Sequence, residues 1–305
     1  MNEPRKPNTR SQWAGVAALI LCATMWSLNG PLIKLLRAPE DSAPGVGGLA
    51  IACYRSTLGG LLFLPFAVSR RESLSAARPA WLAFSVGSFT LMTVCFVVAT
   101  TQTAAASAIA LQYLSPVVVF LLAPLLLRES ARWSEGIALL GALAGLAVIF
   151  FGHPPAATGP LVIAVFSGVG YGSLTVALRG LRATDPRVVV AMNFLGSGLL
   201  TALAVPFVPG ATLAVTPRQF GLLALMSVVQ FAAPYAVFSW ALQRVEAHRA
   251  SLILLLEVIL NPLLTYLVVG ERVPIPTLIG GPMIVLSVVG WMCLSWRNKR
   301  LRSAG

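Results

Sequence analysis

The chain has 305 residues, 57% of them hydrophobic and only 10% charged, with 22 Lys and Arg against 10 Asp and Glu. A soluble globular domain carries about a quarter charged residues, so these figures exclude that class and point to a membrane protein. The net charge of +12 does not signal nucleic acid, because no soluble basic domain is present to display it and the basic residues fall in short loops and tails.

Taken in order, the chain opens with a basic tail, 1–12, followed by an apolar run from Trp13 to Leu36. That run is too long for a signal-peptide core and lacks a convincing cleavage site, so it is expected to be a retained first span. Ala80 to Leu127 holds no charged residue, and Gly136 to Leu178 none apart from His153. Each is about twice the ~20 residues needed to cross a bilayer, so each must be two helices. With Pro, Gly and polar clusters as boundaries, ten spans are predicted: 13–36, 47–68, 80–100, 104–127, 134–152, 159–179, 187–207, 218–242, 250–270 and 274–296, with a basic tail at 297–305. Four cysteines, Cys22, Cys53, Cys95 and Cys293, lie singly in apolar runs without disulfide or metal spacing and read as small packing residues.

Basic loops stay cytoplasmic. With the N-terminus inside, 17 Lys and Arg fall on the cytoplasmic side and four (Lys34, Arg37, Arg218, Arg272) outside, while Arg55 lies within the second span. An even span count returns the C-terminus to the cytoplasm. The chain also repeats itself: Trp26 to Leu35 lines up with Tyr171 to Gly180, pairing Lys34 with Arg179. Gly60-Leu61-Leu62 lines up with Gly198-Leu199-Leu200, and Leu127-Arg128-Glu129 with Gly270-Glu271-Arg272. Five spans is an odd number, so the second copy (159–296) is inverted relative to the first (13–152). The expected fold is all-α, a polytopic membrane protein of ten transmembrane helices as two inverted five-helix repeats. That arrangement is typical of secondary transporters with a site near the midplane.

The ninth span carries the sharpest site candidates. Glu257, Asn261 and Thr265 recur every four residues and share a helix face. An unpaired charge at that depth costs about 2.5 to 3.5 kcal/mol on insertion scales, so Glu257 is a candidate for proton coupling or for binding a substrate amine. The plainer alternative is an acid that ties two helices together. Asn261-Pro262 is predicted to break the helix and free carbonyls for substrate; simple kinks are the alternative. Arg55, in an apolar stretch, is a candidate for a carboxylate substrate, against a structural ion pair or snorkelling. Asn29-Gly30-Pro31 places a polar group beside a kink. Trp26, Gln112, Gln230 and Tyr235 are candidate cavity lining. Tyr171, in the Ser167-Tyr171-Thr175 stripe, and Asn193, in the Asn193-Ser197-Thr201 stripe, are further candidates, although such stripes are more often interhelical hydrogen bonding. Glu129 and Glu271 read better as caps or loop ion pairs, and the pairs Gly141/Gly145 and Gly168/Gly172 as points of close helix contact.

These residues resemble the drug/metabolite transporter superfamily in its EamA-type branch of ten-helix permeases. The resemblance is carried by Trp26 to Pro31, Tyr54-Arg55, Leu114-Ser115-Pro116, Leu127-Arg128-Glu129, Arg249-Ala250-Ser251, Leu256-Glu257, Asn261-Pro262 and Gly270-Glu271-Arg272. It departs from the family pattern in having Arg128 where Leu-Gly-Glu is usual, and in the displacement of a proline to Pro262. The resemblance implies a central cavity, alternating access and export of amino acids, related metabolites or toxic compounds across the inner membrane.

The competing reading, an integral-membrane enzyme, lacks its chemistry: His153 and His248 are the only histidines, with no His-Glu-x-x-His run, paired span aspartates or nucleotide-binding glycine loop. The inverted duplication argues against a passive channel or a non-transporting scaffold, because it naturally gives two exchangeable conformations. The expectation is therefore a non-enzymatic transporter with no cofactor or metal, whose partners are a small molecule, lipid and protons.

Overall fold

The structure, a computed structural model, describes residues 9–39, 44–127, 133–242, 253–254 and 256–303. Every longer regular element among them is a helix: α1 Thr9–Ser27, α2 Asn29–Arg37, α3 Gly48–Ser69, α4 Pro79–Gln102, α5 Ala105–Gln112, α6 Ser115–Leu127, α7 Trp133–Gly152, α8 Thr158–Gly180, α9 Pro186–Ala204, α10 Pro217–Leu225, α11 Ala233–Leu242, α12 Leu256–Val269 and α13 Ile275–Ser303. Arg128, Glu129 and Arg249–Ser251, which carry part of the family resemblance, lie outside the described residues, as does the side chain of Cys293.

Among the described residues, seven helices are long and apolar enough to cross a membrane: Trp13–Arg37, Gly48–Ser69, Pro79–Gln102, Ala105–Leu127, Thr158–Gly180, Pro186–Phe207 and Pro217–Phe238. Leu140–Gly152, Leu256–Val269 and Ile275–Ser287 are shorter apolar helices among the described residues. The outer face is apolar, with Phe151 91%, Phe207 85% and Leu125 76% exposed. That exposure is stable only against lipid, because water would penalise it at about 25 cal/mol per Å².

Local chemistry sets the helix ends. Pro79, Pro186 and Pro217 each open a helix, where a missing N–H costs nothing. Asp185 caps α9 by accepting from the Arg187 N–H at 2.9 Å. Thr216 and Gln219 form a reciprocal capping box on α10. Within the bundle, Thr24, Ser27, Thr100, Thr201, Ser227 and Thr265 each donate to the carbonyl four residues earlier. This satisfies the hydroxyls where no water is at hand.

Two predicted spans are interrupted. The first breaks at Leu28 between α1 and α2, because Pro31 has no N–H to give the Ser27 carbonyl. The fourth breaks at Tyr113-Leu114 between α5 and α6, where Pro116 likewise leaves the Gln112 carbonyl. In the eighth, Met226–Ala232 widens into a π-helical segment. The break expected at Asn261-Pro262 is not there: α12 runs through Pro262. The proline removes one N–H donor, but tertiary packing of the flanking turns keeps the helix in register.

The helices pair as α4 with α8, α7 with α13, α3 with α9, α6 with α8, α1 with α11 and α12, and α2 with α12. Gly145 and Gly280 make the α7–α13 contact possible, since a Cβ on Gly145 would fall 2.6 Å from the Gly280 carbonyl oxygen. Gly168 brings α8 as close to the Leu111 carbonyl, at 2.8 Å from the same construction. Both contacts realise the small-residue packing read from the sequence.

Candidate functional site

The site starts at Arg55 on α3, which is 3% exposed. Its Nη1 donates to Asn29 Oδ1 at 2.9 Å and its Nη2 to Thr93 Oγ1, and its Cζ lies 4.4 Å above the Phe231 ring. Its Nε has no partner. Asn29 reaches the guanidinium because the α1–α2 turn ends just before it, and Phe231 sits in the π-helical segment. Among the described residues no carboxylate pairs with this buried cation, which is held by an amide, a hydroxyl and an aromatic face.

From Phe231 an aromatic wall leads away. Phe194 stacks on it at 4.3 Å and 15°, Tyr235 meets Phe194 edge-on at 5.2 Å, and Trp26 meets Tyr235 at 5.5 Å. Tyr235 is in electrostatic range of Arg55, Tyr171 and Glu257. Glu257, near the start of α12, accepts a long hydrogen bond of 3.4 Å from the Tyr113 hydroxyl, which also lies 3.3 Å from the Leu254 carbonyl oxygen. Tyr113 occupies the α5–α6 break, next to Gln112. Among the described residues, the buried cation Arg55 and the span acid Glu257 are thus both within electrostatic range of Tyr235 in the aromatic wall.

Accessibility grades along the bundle. Toward the ends of α2 and α12 that carry Lys34 and Glu271, Asn29, Ser107, Asn261 and Thr265 are buried, at 7%, 0%, 0% and 1% exposed. Further from that end, Trp26, Gln112, Glu257 and Tyr235 are partly exposed and Tyr171 is 36% exposed. Tyr171, Tyr235 and Glu257 are within electrostatic range of one another.

The structure brings Arg55 and Asn29 into direct contact, sets Trp26 against Tyr235, and gathers Tyr171, Tyr235 and Glu257. Gln230 and Asn261 are buried with side-chain atoms unpartnered: Gln230 Oε1, and both Asn261 Oδ1 and Nδ2. Asn193 is placed differently from a lining group. It is 4% exposed and accepts from Ser85 at 2.9 Å, tying α9 to α4. The neighbouring hydroxyls Ser56 and Ser197, 3.5 Å apart, tie α3 to α9. Thr93, Tyr113 and Phe231 were not legible as site residues. Tyr113 immediately precedes the Leu114-Ser115-Pro116 motif, a usable signal, whereas Thr93 and Phe231 sit in featureless apolar runs.

The chain matches the EamA-like transporter family over two segments, 13–151 and 159–293. It is 27% identical over 287 residues to an uncharacterized transporter of Archaeoglobus fulgidus, covering 93% of this chain and 97% of that one. A crystal structure of a protein superposes with a TM-score of 0.59 at 19% identity, covering 94% of this chain and 98% of the other, a likeness of fold. With both matched segments spanning nearly its whole length, the chain belongs to the EamA-like transporter family and is a multi-pass membrane transporter.

Proposed function

We propose that the protein exports small amphiphilic metabolites, amino acids and their relatives first, across the inner membrane by alternating access, with Glu257 exchanging protons. The observation that carries this reading is Arg55: a buried guanidinium with an unpartnered Nε and, among the described residues, no carboxylate partner needs a counter-charge, and a substrate carboxylate supplies one. Glu257, within electrostatic range of Tyr235 in the aromatic wall, suits the substrate's ammonium group. Asn29, Gln112, Tyr171, Gln230 and Asn261 offer neutral hydrogen-bonding groups around it, and Trp26 and Tyr235 the apolar contact. The basic cluster that a polyphosphate requires is lacking among the described residues of the site. The aromatic wall favours a second reading, efflux of lipophilic toxic compounds.

The ten-span, inverted-repeat architecture belongs to the same proposal. Its support is the packing pattern. Exchanging the halves turns the α4–α8 pair into α11–α1 and the α6–α8 pair into α12–α1, while α3–α9 and α7–α13 map onto themselves. The two separate family matches agree with this. With both termini cytoplasmic, a periplasm-active reporter fused at Ala156 or Gly210 is active and one at Arg71 or Arg182 is silent; the reversed pattern overturns this orientation.

The substrate is tested by overproducing the protein in a bacterial host and challenging it with toxic amino-acid analogues and a drug panel. Protection against the analogues supports the first reading, and protection against drugs alone favours the second. Unchanged sensitivity to every compound, or accumulation of radiolabelled amino acid in the cells, counts against export.

A further inference from the structure

We infer that Lys34 and Glu271 form a latch that shuts one end of the transport path and must open for passage. The inference rests on the alternating-access reading above. Lys34 Nζ lies 2.5 Å from Glu271 Oε2 and also donates to the Thr103 carbonyl at 2.7 Å. The other carboxylate oxygen, Oε1, accepts from the Ala105 N–H at 2.8 Å. One ion pair thus joins the end of α2, the α4–α5 junction and the α12–α13 loop, and its two partners come from opposite halves of the sequence. Gly270, with φ 71°, gives the left-handed turn that follows α12 and precedes Glu271.

The layer beneath is closed by contacts that also cross between the halves. Ser107 and Thr277 share a hydrogen bond of 2.7 Å. Gly30 packs so tightly on α12 that a Cβ there would fall 2.7 Å from Asn261 Oδ1. This closure leaves the Asn261 amide buried with neither atom satisfied, a conformation that costs free energy. Separating α2 from α12 relieves that cost and presents Asn261 to the path. The closed state therefore needs an opposing contact, and the ion pair is suited to be a releasable one. Its side chains remain 19% and 22% exposed, so water competes for both charges and the pair contributes little net stability. Small free-energy differences of this kind bias a bistable helix packing.

The test uses no substrate, so its failure is distinct from failure of the export reading. The purified protein carrying Thr265→Cys is placed in lipid nanodiscs and labelled with a polar maleimide, with the parent protein reporting the background from its native cysteines. Thr265 is 1% exposed and packed behind the latch. Labelling of the introduced thiol is expected to be slow, and to accelerate about fivefold or more when Glu271→Gln is added. Lys34→Met, which leaves the Glu271–Ala105 hydrogen bond in place, serves as the second variant and is expected to accelerate labelling likewise. Labelling rates unchanged in both variants, each monodisperse after purification, overturn the latch.

Discussion

Arg55→Met is expected to reach the membrane at the parent level and to lose transport by about a hundredfold. Replacing a buried ion by an apolar side chain of similar length is often neutral for stability, and Met fills the space above Phe231 without a charge. What disappears is the counter-charge proposed for the substrate. Losing one partner of a buried charged pair costs about 2–5 kcal/mol, and every 1.4 kcal/mol is tenfold. Arg55→Lys is expected to fall between the two, by about tenfold, because a single ammonium cannot serve Asn29 and Thr93 in the fork that the guanidinium makes. The check is efflux of a labelled amino acid from proteoliposomes, normalised to reconstituted protein. If Arg55→Met transports at the parental rate, the guanidinium is a structural strut between α2, α3 and α4 and the carboxylate subsite lies elsewhere.

Glu257→Gln keeps the size of the side chain and its acceptor for the Tyr113 hydroxyl, but cannot carry charge or exchange a proton. Folding and membrane level are expected to be retained. With Glu257 exchanging protons as proposed, efflux by the parent protein is expected to accelerate when the exterior is made more acidic than the interior, because protons entering drive substrate out; in Glu257→Gln the remaining efflux is expected to be slow and indifferent to the gradient. Tyr113→Phe removes the long hydrogen bond that the hydroxyl shares between Glu257 and the Leu254 carbonyl and is expected to change the rate only a few-fold. Efflux by Glu257→Gln that matches the parent at every imposed gradient makes the acid structural and removes proton coupling from the mechanism.

The apolar helices, the family and the individual charged residues of the spans could all be read from the chain alone. A span is a local property: hydropathy over ~20 residues and the absence of charge decide it without reference to any neighbour. Arg55 and Glu257 stood out for the same reason, since a charge in an apolar run is costly wherever the chain goes. Pairings were another matter. Arg55 meets Asn29 and Thr93 across 26 and 38 residues of sequence, and Glu257 meets Tyr113 across 144. A four-residue stripe was equally compatible with a lining and with an interhelical tie, so only the packing of α4 on α9 assigned Asn193 to Ser85. Glu271 read as a cap or a loop ion pair, and only α2 lying beside α12 identified Lys34 as its partner. Pro262 marks the opposite limit: a local rule predicts a break, and neighbouring helices hold the turn together. The sequence by itself determined which segments enter the membrane and where charge is buried, because the bilayer judges each segment separately. Only the tertiary structure decided which of those charges meet, because that depends on helix rotation and on glycines that let particular faces touch.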